Sequence, residues 1–266
     1  MKTAIAMPVR TSTRRAAELP PKDWLGEVAY SRGAFEEFYQ LIGGWLLGER
    51  SENLTISYVN PHVFNLAQRH ASLRAFLGQA DLVTVDGLGI ALGARLINGR
   101  RQTRTVMTPL FDQVLATPHL PRLTAALIGG SAPVVANGAA AINRASPWLK
   151  VRKVHHGYAA LAESMEFLRA EPETDLVLVA MGSPRSEEFI QEAAGHFSGK
   201  LFWNIGGGTL HFYAGTLRRV PPWVSRLGVQ WLWRICHEPA IAPRYFVGIP
   251  VFLSSLARLF LSRSNP

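Results

Sequence analysis

The eight residues Leu82-Val83-Thr84-Val85-Asp86-Gly87-Leu88-Gly89 constrain the fold most. A short β-prone run ends on an acid, then turns through two glycines into an apolar helical pattern. In an open α/β sheet, ligands sit beyond the carboxyl ends of strands and beside helix N-termini. Asp86 would project into that crevice. Aspartate is also a favoured helix N-cap, and on this stretch alone capping is the stronger reading.

The same strand–turn–helix step recurs along the chain. Leu54–Val59 runs into Asn60-Pro61, with Pro61 suited to a helix start. Val63, Leu66, Ala67, Leu73, Phe76 and Leu77 give one following helix its apolar face. Leu123–Ile128 leads to Gly129-Gly130 and an Ala-rich helix, and Val151–Val154 leads to His155-His156-Gly157-Tyr158. Asp175–Ala180 leads to Met181-Gly182-Ser183-Pro184, and Leu201–Ile205 to Gly206-Gly207-Gly208. Glycines at strand ends let backbone N–H groups approach a phosphate. Alternating strands and helices predict a Rossmann-like parallel sheet flanked by helices. Adjacent histidines in an extended segment point in different directions, and no Cys, Asp or third His stands near them, so no metal site is expected there. Glu187 and Glu188 suit the first turn of a helix.

Charge divides the chain further. The net +9 is uneven: residues 1–22 carry net +4, and residues 210–266 hold seven arginines against Glu238 alone. This predicts a basic flexible arm over 1–25, an α/β core over 26–210, and an Arg/Trp-rich helical appendage over 211–266. A basic appendage on a near-neutral core points to a localised anionic partner. Arginine suits bidentate phosphate contacts. Cys236 is the single cysteine, which excludes an internal disulfide framework; it reads as a small buried hydrophobe. No secretory leader and no transmembrane helix is expected: the uncharged run Tyr245–Ala257 is short and contains Pro250. Its aromatic and arginine flanks suit an interfacial membrane contact. The aromatics follow core and interface spacing, not a base-stacking platform, so no nucleic acid is expected.

Taken together, the motifs resemble the WecG/TagA/CpsF family, bacterial glycosyltransferases of family 26, over about residues 50–255. The pieces are Asn60-Pro61, Ala80-Asp81-Leu82 running into Asp86-Gly87-Leu88-Gly89, Arg104, Gly129-Gly130 and His156-Gly157-Tyr158. Met181-Gly182-Ser183-Pro184, Ala214-Gly215, Arg218-Arg219-Val220-Pro221, Trp231 with Arg234, Glu238-Pro239 and Arg244-Tyr245 follow. The resemblance implies transfer of a sugar, typically N-acetylmannosamine or a relative, from a UDP-sugar to a polyprenyl-diphosphate-linked acceptor. It implies inversion at the anomeric centre, with no metal and no cofactor. Asp86 matches the proposed base, and Arg104 matches an arginine near the leaving diphosphate. Asn60, Gly129, Gly130, Ser183, Ser186, Gly207, Arg219, Arg234 and Arg244 are the further substrate-binding candidates. The implied partners are the donor, the acceptor and the inner, cytoplasmic surface of the cell membrane, with a homo-oligomer as an option.

Several polar positions depart from the family pattern. Tyr58 stands where threonine is usual, Met107-Thr108-Pro109 replaces Gly-x-Asp, and Ser186 replaces glutamine. Leu210-His211 replaces Phe-Asp, Gln230 replaces glutamate, and Ala240-Ile241 replaces Arg-Arg. Losing hydrogen-bonding groups shifts selectivity sharply. A donor carrying a related hexose or hexuronic acid is therefore expected as readily as N-acetylmannosamine. A non-catalytic binder of nucleotide-sugar or lipid diphosphate is the competing reading.

Overall fold

The computed structural model describes residues 19–227, 229–238 and 241–264. Most of the N-terminal arm, and Pro239 and Ala240, therefore lie outside the described residues. Part of the expected arm is ordered: Lys22–Leu25 forms β1, which pairs antiparallel with β2 (Val28–Ser31). Lys22 Nζ donates to the carbonyls of Leu77 and Gly78, each at 2.8 Å.

Six further strands build one parallel sheet. They are β3 (Leu54–Val59), β4 (Leu82–Val85), β5 (Leu123–Gly129), β6 (Leu149–His155), β7 (Leu176–Ala180) and β8 (Leu201–Asn204). Their order is β4-β3-β8-β7-β5-β6. Buried runs such as Leu176–Ala180 alternate between two apolar layers, because successive side chains of a strand point to opposite faces. Leu176, Leu178 and Ala180 join one cluster, and Val177 and Val179 join the other.

Helices cover both faces. On the first lie α1 (Phe35–Leu47), α5 (Met107–Leu115), α6 (Ala132–Ala145) and α9 (Gly207–Tyr213). On the second lie α2 (Pro61–Ala67), α3 (Ala71–Gln79), α4 (Leu88–Asn98), α7 (Leu161–Arg169) and α8 (Arg185–His196). The single helix expected after Pro61 is two. Gln68 and His70 end one and start the next, and Arg74 Nη1 takes the terminal carbonyl of Ala67 at 2.8 Å. The β1–β2 hairpin shields the outer side of β4, where Ser31 Oγ accepts the Val83 N–H at 2.9 Å. At the opposite edge, β6 exposes Lys150, Arg152 and Lys153, charges that discourage edge-to-edge pairing.

The C-terminal appendage forms α10 (Pro222–Leu227), α11 (Gln230–His237) and α12 (Ala242–Ser264). Pro250 does not end α12, which runs for 23 residues. Its stretch Ala242–Ser262, with mean hydropathy 1.6, is long and apolar enough to cross a membrane, which corrects the shorter segment expected from the charge pattern. One side of α12 is docked on the core. Phe252 meets Phe64 edge-to-face at 5.2 Å, and Asn65 Nδ2 donates to the Gly248 carbonyl at 2.7 Å. Cys236 is exposed, not buried: α11 lays no buried face against the core.

Candidate active site

The strand order opens a crevice between β3 and β8. β3 and β8 are neighbours, yet α2 leaves β3 for the second face and α9 leaves β8 for the first. Loops that diverge this way leave a cleft beyond the strands' carboxyl ends. Here the cleft is a cavity of about 590 Å³. The ends of β3, β4, β7 and β8 form its floor, and α11 and α12 of the appendage complete its wall.

Asp86 lies in this floor, one residue past β4. It does not cap α4. The N-cap there is Gly87, with no side-chain capping bond. The carboxylate turns instead toward the start of α5, where the Met107 N–H stands 3.5 Å from Oδ2. Desolvation is the largest influence on this carboxyl and raises it from 3.8 to about 6, against the pull of the Met107 N–H, Arg104 and Arg234. A carboxylate poised near neutrality suits a general base.

The cations come from two directions. Arg104 lines the cavity from the loop before α5, and Arg219, Arg234 and Arg244 line it from the appendage. Arg219 pairs with Asp112, with its Nη2 3.2 Å from Oδ1, and lies over the Tyr213 ring. Arg234 Nε donates to Glu238 Oε1 at 3.1 Å. Arg244 forms no salt bridge among the described residues. Of the other candidates, Asn60 lines the cavity and caps α2 by accepting the Val63 N–H at 3.0 Å. Ser183 and Gly207 also line it.

Three candidates are not brought to the cavity. Gly129 and Gly130, expected at a phosphate, are packing positions. A Cβ on Gly129 would come within 2.5 Å of the Ala180 carbonyl oxygen, and one on Gly130, at φ +57°, would meet Val134 at 2.9 Å. Ser186 is fully buried, and its Oγ accepts the Met181 N–H at 3.1 Å, closing the turn into α8. The family's departures divide likewise. Tyr58, Met107, Thr108, Pro109 and Gln230 line the cavity, whereas His211 lies outside its lining and bonds Thr216.

Two groups were not singled out for this site by sequence. His62 lines the cavity, and desolvation, followed by nearby Arg244, lowers it to about 4, so it is neutral at physiological pH. Its signal was its place in the first turn after Asn60-Pro61. Glu187, read as a helix-start acid, is fully buried. Its Oε1 accepts from Ser183 Oγ and Asn204 Nδ2, each at 2.8 Å, and from Ser57 Oγ at 3.4 Å. Asn204 Oδ1 in turn accepts the Gly206 N–H at 3.2 Å. One carboxyl thus ties the ends of β3, β7 and β8 beneath the cavity. His155 and His156 do not diverge. Their rings stack 4.9 Å apart, and Glu163 stands 3.7 Å from His155 Nε2, so three ligand-type groups gather outside the cavity lining.

Comparison with known proteins places the chain in a family. The model of the "Glycosyl transferase WecG/TagA/CpsF family" matches residues 24–266. Similar curated proteins include those named "N-acetylglucosaminyldiphosphoundecaprenol N-acetyl-beta-D-mannosaminyltransferase" from Staphylococcus aureus strains MRSA252, MW2 and NCTC 8325. Each is 25% identical over 237 residues, covering 89% of this chain and 92% of the relative. With the match spanning the sheet, the cavity and the appendage, this chain belongs to the WecG/TagA/CpsF family of glycosyltransferases.

Proposed function

We propose that the chain transfers a sugar from a UDP-sugar to a polyprenyl-diphosphate-linked sugar, inverting the anomeric carbon, with Asp86 as the base. The observation that carries this is the Asp86 carboxyl in the cavity floor, raised toward neutrality by desolvation and faced by arginines. In the reaction, Asp86 takes the proton of the acceptor hydroxyl as its oxygen bonds to the anomeric carbon. The bond from that carbon to the diphosphate breaks, and UDP leaves with the electron pair. Arg104, Arg234 and Arg244 stabilise the leaving charge, and Arg219 contributes while held by Asp112. Asn60, Ser183 and Gly207 contact the substrates. Arginines supply the countercharge, so the reaction proceeds without a metal.

The relatives' names support N-acetylglucosaminyl-diphospho-polyprenol as the acceptor class and an N-acetylmannosamine-type donor. Tyr58, Met107 and Gln230 in the cavity wall support a related hexose or hexuronic acid as a competing donor. The outward Phe246, Val247, Leu253, Phe260 and Leu261 of α12 support docking on the inner face of the cell membrane.

The test is UDP release by purified full-length protein. A panel of UDP-sugars is offered with polyprenyl-diphosphate-linked acceptors in detergent, with and without EDTA. Acceptor-dependent release with one donor, insensitive to EDTA, is expected. UDP-sugar binding with no turnover across the panel would favour a non-catalytic binder instead. Vesicle sedimentation unchanged by deleting 240–266 would overturn the membrane contact.

A further inference from the structure

α4 borders the cavity and is apolar on both of its faces. In Leu88–Asn98 the only charged residue is Arg95. Its inner face packs closely. A Cβ on Gly89 would meet Phe252 at 3.0 Å and one on Gly93 would meet Leu256 at 2.9 Å, while Ile90, Ala94 and Ile97 are buried. A helix packed on one side ordinarily turns polar residues to solvent on the other. Here the outer face carries Leu88, Leu92 and Leu96, which are 44%, 49% and 64% exposed. At i, i+4 and i+8 they share one face, forming a stripe about 12 Å long at the helical rise.

The stripe is continuous with the active site. Leu88 is two residues beyond Asp86, and Leu88 and Leu92 line the same cavity as Asp86. Leu96 carries the line one further turn out of it. Leu253 of α12 lines the cavity too and is 56% exposed. An apolar path therefore begins beside the proposed base and ends at the surface.

We propose that this face of α4 is the track along which the acceptor's polyprenyl tail leaves the cavity. The inference rests on the proposed use of a polyprenyl-diphosphate acceptor. The arginines hold the diphosphates, and the leucines take the first part of the chain attached to one of them. The path commits to a tail because it starts inside the cavity, where a bilayer surface does not reach.

The test uses the full chain with Leu96→Asp, a position outside the cavity lining. The side chain is mostly exposed, so the fold is expected to persist. Two acceptors are compared that share the diphosphate and sugar. One carries a long polyprenyl chain in detergent, the other a short water-soluble alkyl chain. The KM for the long-chain acceptor is expected to rise about tenfold, the cost of setting a charge against an apolar tail. KM for the short-chain acceptor and for the UDP-sugar should change less than twofold. Equal shifts for both acceptors, or no shift, would overturn the track while leaving the transferase reading intact. A second measurement stands apart from turnover: a polyprenyl diphosphate with a photoreactive tail should label residues 88–96 and lose that label in the variant. Labelling confined to α12 would overturn the track, even if wild-type turnover failed and took the transferase reading with it. Weakened binding to vesicles free of polyprenyl lipid would assign the stripe to the bilayer, and a lost dimer would assign it to a second copy. Either result also overturns the proposal.

Discussion

Replacing Glu187 with glutamine should change how stability depends on pH. Desolvation is the largest influence on this buried carboxyl and raises it from 4.5 to about 7, despite hydrogen bonds from Ser183, Ser57 and Asn204. Below pH 4.5 both folded and unfolded chains hold the proton, and the group costs nothing. Between 4.5 and 7 the unfolded chain releases the proton while the folded chain keeps it, so stability falls as pH rises. Above pH 7 both states are ionised and the full penalty applies. At about 1.4 kcal/mol per pH unit this is about 3 kcal/mol. Glutamine retains an acceptor for Ser183 and Asn204 but never ionises. Its amide nitrogen would take the place of Oε2, which is buried without a hydrogen-bond partner among the described residues, at a pH-independent cost of about 1–3 kcal/mol. Urea unfolding of both proteins at pH 5, 6, 7 and 8 separates these effects. The stability of E187Q relative to wild type should climb by about 2.5 kcal/mol from pH 5 to pH 8, whatever its constant offset. Parallel curves for the two proteins would show that Glu187 does not titrate between them, and the argument from its burial would fail.

Asp86→Asn should abolish UDP release while leaving UDP affinity within a few-fold, as measured by calorimetry. The wild-type kcat/KM should fall on the acid side with an apparent value near 6, because Asp86 must be ionised to accept a proton; an acid limb near 4 would contradict the desolvation argument. Arg244→Ala should weaken UDP binding about tenfold or more, the scale of a hydrogen bond to a charged group, in the same titration. Gly129→Ala should destabilise the fold by about 1–3 kcal/mol through crowding of the Ala180 carbonyl, without altering UDP affinity in the protein that remains folded; a selective loss of affinity would return Gly129 to the site. Phe252→Ala should cost about 3–5 kcal/mol by removing the contact of α12 with Phe64, read by denaturant midpoint.

What was legible in the sequence follows from range. Strands such as Leu176–Ala180 announce themselves because a strand buried on both faces must be apolar throughout. Asp86, Asn60, Ser183 and Gly207 were legible as cavity residues because each lies at or beside a strand end, where the fold itself places ligands, whereas Arg104, beyond α4 in sequence, was legible only through the family resemblance. Gly129 and Gly130 carried the same signal for another reason. β7 runs alongside β5 and its Ala180 carbonyl occupies the space a Cβ would need. Only the sheet order reveals that neighbour. Glu187 was masked by an ordinary preference, since acids favour helix starts wherever they lie. Its burial depends on Ser57 and Asn204, 130 and 17 residues away in sequence. The break between α2 and α3 was hidden because Leu66, Ala67 and Leu73 keep an apolar face on both sides of it. Pro250 misled because an internal proline weakens a helix without having to end it when the two halves are packed on a neighbour.

On the proposed mechanism, the site reconciles two demands that oppose each other. A departing diphosphate needs cations, yet cations beside a carboxylate make it a weaker base. Arg104 and Arg234 do pull Asp86 downward, but desolvation outweighs them and leaves it near 6. The arrangement of acids in the wall helps to explain this balance. Arg219 is held by Asp112 and Arg234 by Glu238, so much of each positive charge is already answered before it reaches Asp86. Their remaining N–H groups are donors that an incoming phosphate oxygen can use. Arg244 lacks such a partner among the described residues, but it sits on α12, on the appendage side of the cavity. Charge for the leaving group is thereby held partly in compensated pairs, and the carboxylate keeps the affinity for a proton that the proposed transfer requires.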